Sequence, residues 1–235
     1  MGKRRLIPLS MFVFLLVAAL SSFAGPAGAQ PDQLQYVVIY VEFKPADTKA
    51  GGRLLDDLAA QALASAGVIR FDVLQQVDRP NFFALFEIWS SAQTFAAFQS
   101  SSATQAILTQ LTPLLGAPLD ERDGNLLAGT VDPRDAKSRI FVITHVDIDP
   151  QFVPDPAVPV LDTFVSDSAS DPGVQTFALL SQSPTTNHFH LVEVFANQQA
   201  FDAHVSAQHT LDFRNDIQPF IGAPYDERLY QFANR

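Results

Sequence analysis

Apolar residues recur along this chain with two different periods. In Tyr36–Phe43 and Arg139–Ile148 they alternate as in half-buried strands, and a proline, Pro45 or Pro150, follows each run. Helical spacing comes next, over about Thr48–Ser65 and Pro156–Ser170. In the first of these Leu54, Leu55, Leu58, Ala62 and Leu63 recur at helical intervals. Gly67 and Gly173 end the helices, as a glycine just past the last turn does. Two strands are then expected in each half, Val68–Val77 with Asn81–Trp89, and Val174–Gln182 with His188–Phe195. Their turns are Asp78-Arg79-Pro80 and Ser183-Pro184-Thr185-Thr186. One long helix runs on to about Pro113 or Pro219. Short strands, Gly124–Thr130 and Tyr225–Phe232, close the two halves.

The parallel between the halves is a true internal repeat. Gly67–Arg122 realigns with Gly173–Arg228 without a gap, and 21 of the 56 positions are identical. Among them are Asn81/Asn187, Phe83/Phe189, Leu85/Leu191, Glu87/Glu193 and Phe95/Phe201, and the match ends in GAPLDER against GAPYDER. Each copy reads strand, helix, strand, strand, helix, strand, the ferredoxin-like split βαβ order. The fold class expected is therefore α+β. Residues 30–131 form the first domain and 138–235 the second, joined by the polar segment Asp132–Lys137.

The third strand of each copy is apolar on both faces. Phe189, Leu191 and Phe195 lie on one face of the strand at His188–Phe195, and His188, His190, Val192 and Val194 on the other. In the first copy Phe83, Leu85 and Trp89 oppose Phe82, Phe86 and Ile88. A four-stranded sheet with helices on one side and water on the other would show a polar second face. The two sheets are thus expected to cover one another, giving a monomer that is its own pseudo-dimer.

Composition narrows the function. Charged residues are only 17% against 47% hydrophobic, which marks a globular chain. The net charge is −10, and it becomes −13 without the first 29 residues, which carry Lys3, Arg4, Arg5 and no acid. That balance excludes nucleic acid and anionic membrane as expected partners. Those 29 residues have the layout of a secretory signal: a basic start, the apolar run Met11–Leu20, and Ala27-Gly28-Ala29 before a cut at Gln30. The run is short for a membrane span. A periplasmic or secreted mature chain is expected. There is no cysteine, hence no disulfide, thiolate nucleophile or lipid-modified cysteine.

The candidate chemistry lies in Asn187–Thr210. A strand ends there in Glu193 and Phe195, and a helix follows with Phe201, His204 and, five residues on, His209. This arrangement resembles the antibiotic biosynthesis monooxygenase (ABM) superfamily, over nearly all of the mature chain and twice. The resemblance implies a dimeric α+β barrel made here within one chain. It also implies oxidation of a small phenolic or quinol compound by O2 with no cofactor and no metal. His204 and His209 would be the catalytic residues, and Phe195, Phe201, Glu193 and Thr144 would line the substrate pocket. Some relatives degrade haem, but the residues used there are divided. The first copy has Trp89 with Phe98 in place of the helix histidine. The second has His204 with Phe195 in place of the tryptophan, and the strand-one amide position falls near Ile39 and Thr144.

All five histidines, His145, His188, His190, His204 and His209, belong to the second copy. The first has Tyr40, Phe82, Ala84, Phe98 and Ala103 instead. Either they are packing residues or the second copy keeps a pocket that the first has lost. His188-x-His190 is a weak metal signal, because no carboxylate stands at a suitable sequence spacing. Glu87 and Glu193 are expected to serve a helix-end amide or an arginine, and the two Asp-Glu-Arg triplets to form structural ion pairs. A non-catalytic exported module that binds a small ligand is the other function compatible with the sequence.

Overall fold

The computed structural model describes residues 33–132 and 140–233. The signal sequence expected at 1–29, and the linker expected at 132–137 apart from Asp132, lie outside the described residues. In the first copy the elements are β1 (Gln35–Glu42), α1 (Thr48–Leu63), β2 (Val68–Gln76), β3 (Phe82–Trp89), α2 (Ala92–Ser100), α3 (Ser102–Leu111) and β4 (Asp120–Thr130). The second copy repeats them as β5 (Ile140–Asp147), α4 (Ala157–Ser168), β6 (Val174–Gln182), β7 (His188–Phe195), α5 (Gln198–Val205), α6 (Gln208–Ile217) and β8 (Asp226–Phe232). Among the described residues no helix is long and apolar enough to cross a membrane.

The strands form one closed barrel in the order β1-β3-β2-β8-β5-β7-β6-β4. Within each copy the last strand flanks the first, the ferredoxin-like arrangement, and all pairings are antiparallel. The copies are joined by backbone hydrogen bonds as well as by packing: β4 pairs with β6, and β2 with β8. Closure leaves no sheet edge. It also explains the two-faced β3 and β7. Their inward residues Phe86, Ile88, Val192 and Val194 meet Tyr36, Val38, Phe141 and Ile143 inside the barrel. Their outward residues Phe83, Leu85 and Trp89, or Phe189, Leu191 and Phe195, pack under the helices of their own copy. At about 1.5–3 kcal/mol for each large apolar side chain taken from water, these three cores hold the fold.

Gly67 and Gly173 do not cap α1 and α4, which end earlier at Leu63 and Ser168; they stand at the entry to β2 and β6, at φ +85° and +87°. A Cβ on Gly67 would come 2.6 Å from Thr94, and one on Gly173 2.6 Å from Ala200, so the positive φ and the close helix both require glycine. Two further expectations are corrected. Strand β4 begins at Asp120 rather than Gly124, because Asp120–Gly124 pair with β1. The long helix of each copy is two helices, broken where Ser101 (ψ 144°) and Ala207 (ψ 146°) take extended backbone conformations. Ser101 accepts a hydrogen bond from Thr104 N and caps α3; its polar side chain offers the chain an alternative to continued helix.

Candidate functional site

Helix α5 starts where Asn197 Oδ1 accepts from Ala200 N, and it places Phe201 and His204 against the outer face of β7. The break at Ala207 then redirects the chain, so His209 comes from a different helix. His204 and His209 therefore do not share one helical face as their spacing implied. They converge on Asp171, in the turn between α4 and β6, which the sequence reading missed. His204 Nδ1 lies 2.8 Å from Asp171 Oδ2 and His209 Nε2 3.2 Å from the same oxygen.

His204 is buried, with its ring centroid 5.7, 5.3 and 5.1 Å from those of Phe164, Phe177 and Phe195. Burial lowers its pKa, and the hydrogen bond to Asp171 opposes that shift. Its Nε2 points toward Glu193 Oε2, 3.9 Å away. Burial pushes the Glu193 carboxyl well up, Glu227 pushes it the same way and Arg214 opposes. Tyr225 is raised well above its ordinary value, first by burial and then by Glu193 and Glu227, while the Thr144 hydroxyl acts against the shift. Phe201 packs edge-on to Phe195 at 5.5 Å. Neighbouring groups thus run in one line from Thr144 through Tyr225, Glu193, His204 and Asp171 to His209, with Phe195 and Phe201 beside His204.

Two open clefts flank this line. One, of about 290 Å³, runs between α4 and α6; Pro159, Val160, Phe164, Phe213 and His209 line it, together with Asp167, Asp212 and Asp216. Its aromatic wall is the parallel pair Phe164–Phe213, 3.8 Å apart. The other, of about 300 Å³, is lined by Arg214, Ile217, Ile221, Tyr225 and Glu227. Of the six residues expected to form a pocket, only His209 lines either cleft. His204, Phe195, Phe201 and Glu193 sit behind it in the packed layer. The first copy fills the equivalent layer with rings: Trp89 stacks on Phe98 at 4.8 Å, and Ser65 and Ala103 stand where Asp171 and His209 are.

The remaining histidines gather at the barrel interior. His145 and His190 are cross-strand partners with stacked rings, 5.0 Å apart. Asp147 Oδ1 lies 3.0 Å from His145 Nε2 and 3.3 Å from His188 Nδ1. No carboxylate stood at a suitable spacing from His188-x-His190 because the one that reaches His188, Asp147, comes from the neighbouring strand, where it joins His188 to His145 rather than to His190. Arg122 Nη1 lies 2.6 Å from His145 Nδ1, and burial together with Arg122 lowers the His145 pKa to about 4. The Asp-Glu-Arg triplets do make ion pairs, Arg122 with Asp120 and Arg228 with Asp226, and both guanidinium groups lie over the Tyr40 ring. Glu87 serves neither a helix end nor an arginine as expected. It accepts from Trp89 Nε1 at 2.8 Å, because strand alternation puts both on the outer face of β3.

A family model described as antibiotic biosynthesis monooxygenase matches residues 34–110 and again 139–216. A candidate monooxygenase from Fusobacterium nucleatum has a similar structure, with a TM-score of 0.75 at 14% identity, covering 87% of this chain and 94% of that one. A second candidate monooxygenase, from Lactobacillus acidophilus, gives 0.65 at 12%, covering 85% and 93%. An anthrone oxidase-like protein gives 0.67 at 13%, covering 86% and 92%. At these identities the structures establish the fold. No curated protein matches the chain.

Proposed function

Because the chain belongs to the antibiotic biosynthesis monooxygenase family, we propose that it is an exported, monooxygenase-like protein that oxidises a small phenolic or quinol compound with O2, needing no cofactor. The observation that carries this reading is the Asp171–His204–His209 cluster beside the α4–α6 cleft, in a copy whose duplicate has Ser65, Phe98 and Ala103 at the same places. An aromatic ring fits against the Phe164–Phe213 wall, and the cleft volume suits a compact ligand. His209 lines that space with Nε2 3.2 Å from Asp171, and its other ring nitrogen is the one proposed to take the phenolic proton. The electron-rich phenolate then passes one electron to O2, giving a phenoxyl radical and superoxide; the pair recombines through carbon to a peroxide, which takes the proton back from His209, and cleavage of its O–O bond with loss of water leaves one oxygen on the substrate as a carbonyl. His204 holds Asp171 from behind. Phe195, Phe201, Glu193 and Thr144 build the layer against which these groups are fixed.

The test is oxygen consumption with a hydroquinone or anthrone. Wild type is expected to turn over in the presence of a chelator, and His209→Ala and His204→Phe to lose about 100-fold or more, the usual contribution of a positioned base. Full activity in both variants sinks the assignment. A second reading, ligand binding without turnover, is favoured by the burial of His204, Phe195, Phe201 and Glu193 behind the cleft. It predicts that the same compounds bind without oxygen uptake.

A further inference from the structure

We infer that Asp171, His204 and His209 form a binding site for a divalent transition-metal ion beside the α4–α6 cleft. One carboxylate and two imidazoles, coming from the α4–β6 turn, α5 and α6, present ligand atoms that all lie within 4.8 Å of one another. The Asp171 oxygen is 2.8 Å from His204 Nδ1 and 3.2 Å from His209 Nε2. Ligand atoms on an ion with metal–ligand bonds of about 2.1 Å stand about 3.0–3.4 Å apart, close to the two Asp171 distances. Two imidazoles and a carboxylate suit zinc and its first-row neighbours and leave positions open for water.

The surroundings favour a cation. Asp167, Asp212 and Asp216 line the cleft by which an ion would arrive. Arg214, which lies toward His204, is held 2.8 Å from Glu227. His209 Nε2 is shielded from water and makes no hydrogen bond of good geometry. A metal on His204 Nδ1 moves the imidazole proton to Nε2, where Glu193 stands 3.9 Å away as the outer carboxylate that metal-bound histidines commonly have. The first copy lacks all three ligands, having Ser65, Phe98 and Ala103, so the fold itself does not require them. The rival cluster, His145, Asp147 and His188, is poorer. Arg122 Nη1 lies 2.6 Å from His145 Nδ1 and puts a positive charge where the ion would sit.

This site uses the same side chains as the oxidation proposed above but does not rest on that reading. A metal on His209 Nε2 leaves the proton on the other nitrogen, so the loaded protein would lack its base and be inhibited. The test is a titration of the chelator-stripped, whole protein with Zn2+ by calorimetry and with Co2+ by visible absorption. One ion per chain is expected. Asp171→Ser and His209→Ala should weaken binding by more than about 100-fold, and His188→Phe, which installs the residue of the first copy, should leave it unchanged. Failure of the wild type to bind one ion overturns the inference. So does equal affinity in all three variants, or loss confined to His188→Phe. If Asp171→Ser fails to fold, His209→Ala decides alone, since its side chain is 23% exposed in an open cleft. Turnover that requires the metal would overturn the cofactor-free reading and leave the metal site standing.

Discussion

Glu87 and Glu193 occupy the same place in the two copies, each buried on the outer face of a third strand. Burial raises Glu87 to about 8 against the lowering effect of Trp89, and raises Glu193 well above its ordinary value. A carboxyl whose folded pKa exceeds its unfolded value contributes stability that is fully present below the unfolded pKa, 4.5, and is lost as pH rises through the folded one. The buried histidines act in the opposite sense. His145, lowered to about 4, contributes stability that is present above 6.5 and lost as pH falls toward 4, and His190 and His204 are shifted the same way. Above pH 6.5 the histidines have no further effect and the carboxyls decide. Stability should therefore fall between pH 6.5 and 8, and Glu87→Gln should flatten that slope. Thermal denaturation across this range measures it, and an unchanged slope in Glu87→Gln contradicts the account. His204→Phe should cost little, about 1 kcal/mol, because the ring it installs is the one its counterpart Phe98 already places beside Trp89. Urea unfolding of that variant separates a functional histidine from a structural one.

Both long helices break at the same place, and what differs between the copies is how the break is capped. Ser101 and Ala207 have nearly the same backbone, φ −63° and ψ 144° against φ −65° and ψ 146°. The serine caps α3 through Thr104 N, whereas α6 has no side-chain cap. Thr210 N now donates to the Ala207 carbonyl at 3.1 Å; Ala207→Ser should offer it a side-chain oxygen as well and stabilise the protein by up to about 1 kcal/mol, with His209 kept in place. Denaturant midpoints decide; a lower midpoint would mean that the second break differs from the first. The same break turns His209 toward the cleft, so local backbone geometry, beyond helical periodicity, sets the distance between the two histidines.

At the scale of the whole molecule, each copy supplies half of a barrel. The second copy alone would expose Phe141, Ile143, Val192 and Val194, and the free edges of β6 and β8 that now pair with β4 and β2. Expressed by itself it should dimerise or aggregate, as an open apolar face with unpaired edges does. Light scattering showing a soluble monomer would contradict this. The proposed export predicts a mature chain beginning at Gln30; intact-mass measurement in the native host tests it, and a membrane-bound species keeping Met1 would refute it.

The repeat, the order of elements and the pairing of two apolar sheet faces were all legible in the sequence, because duplication copies pattern as well as structure. Gly67 and Gly173 marked the turns into β2 and β6, since only glycine tolerates the positive φ and the close helix there. His204, His209, Glu193, Phe195, Phe201 and Thr144 were legible as candidates from the contrast between copies and from the family pattern. What joins them was hidden. Asp171 stands 33 residues from His204 and Asp147 41 from His188, and each pair meets only when strands and helices close around the barrel. Depth was hidden as well: residue type could not say that His209 lines a cleft while His204 lies beneath it. Periodicity records which way a side chain points along its own element. The distance between two elements, and the charge each then feels, is fixed only by packing.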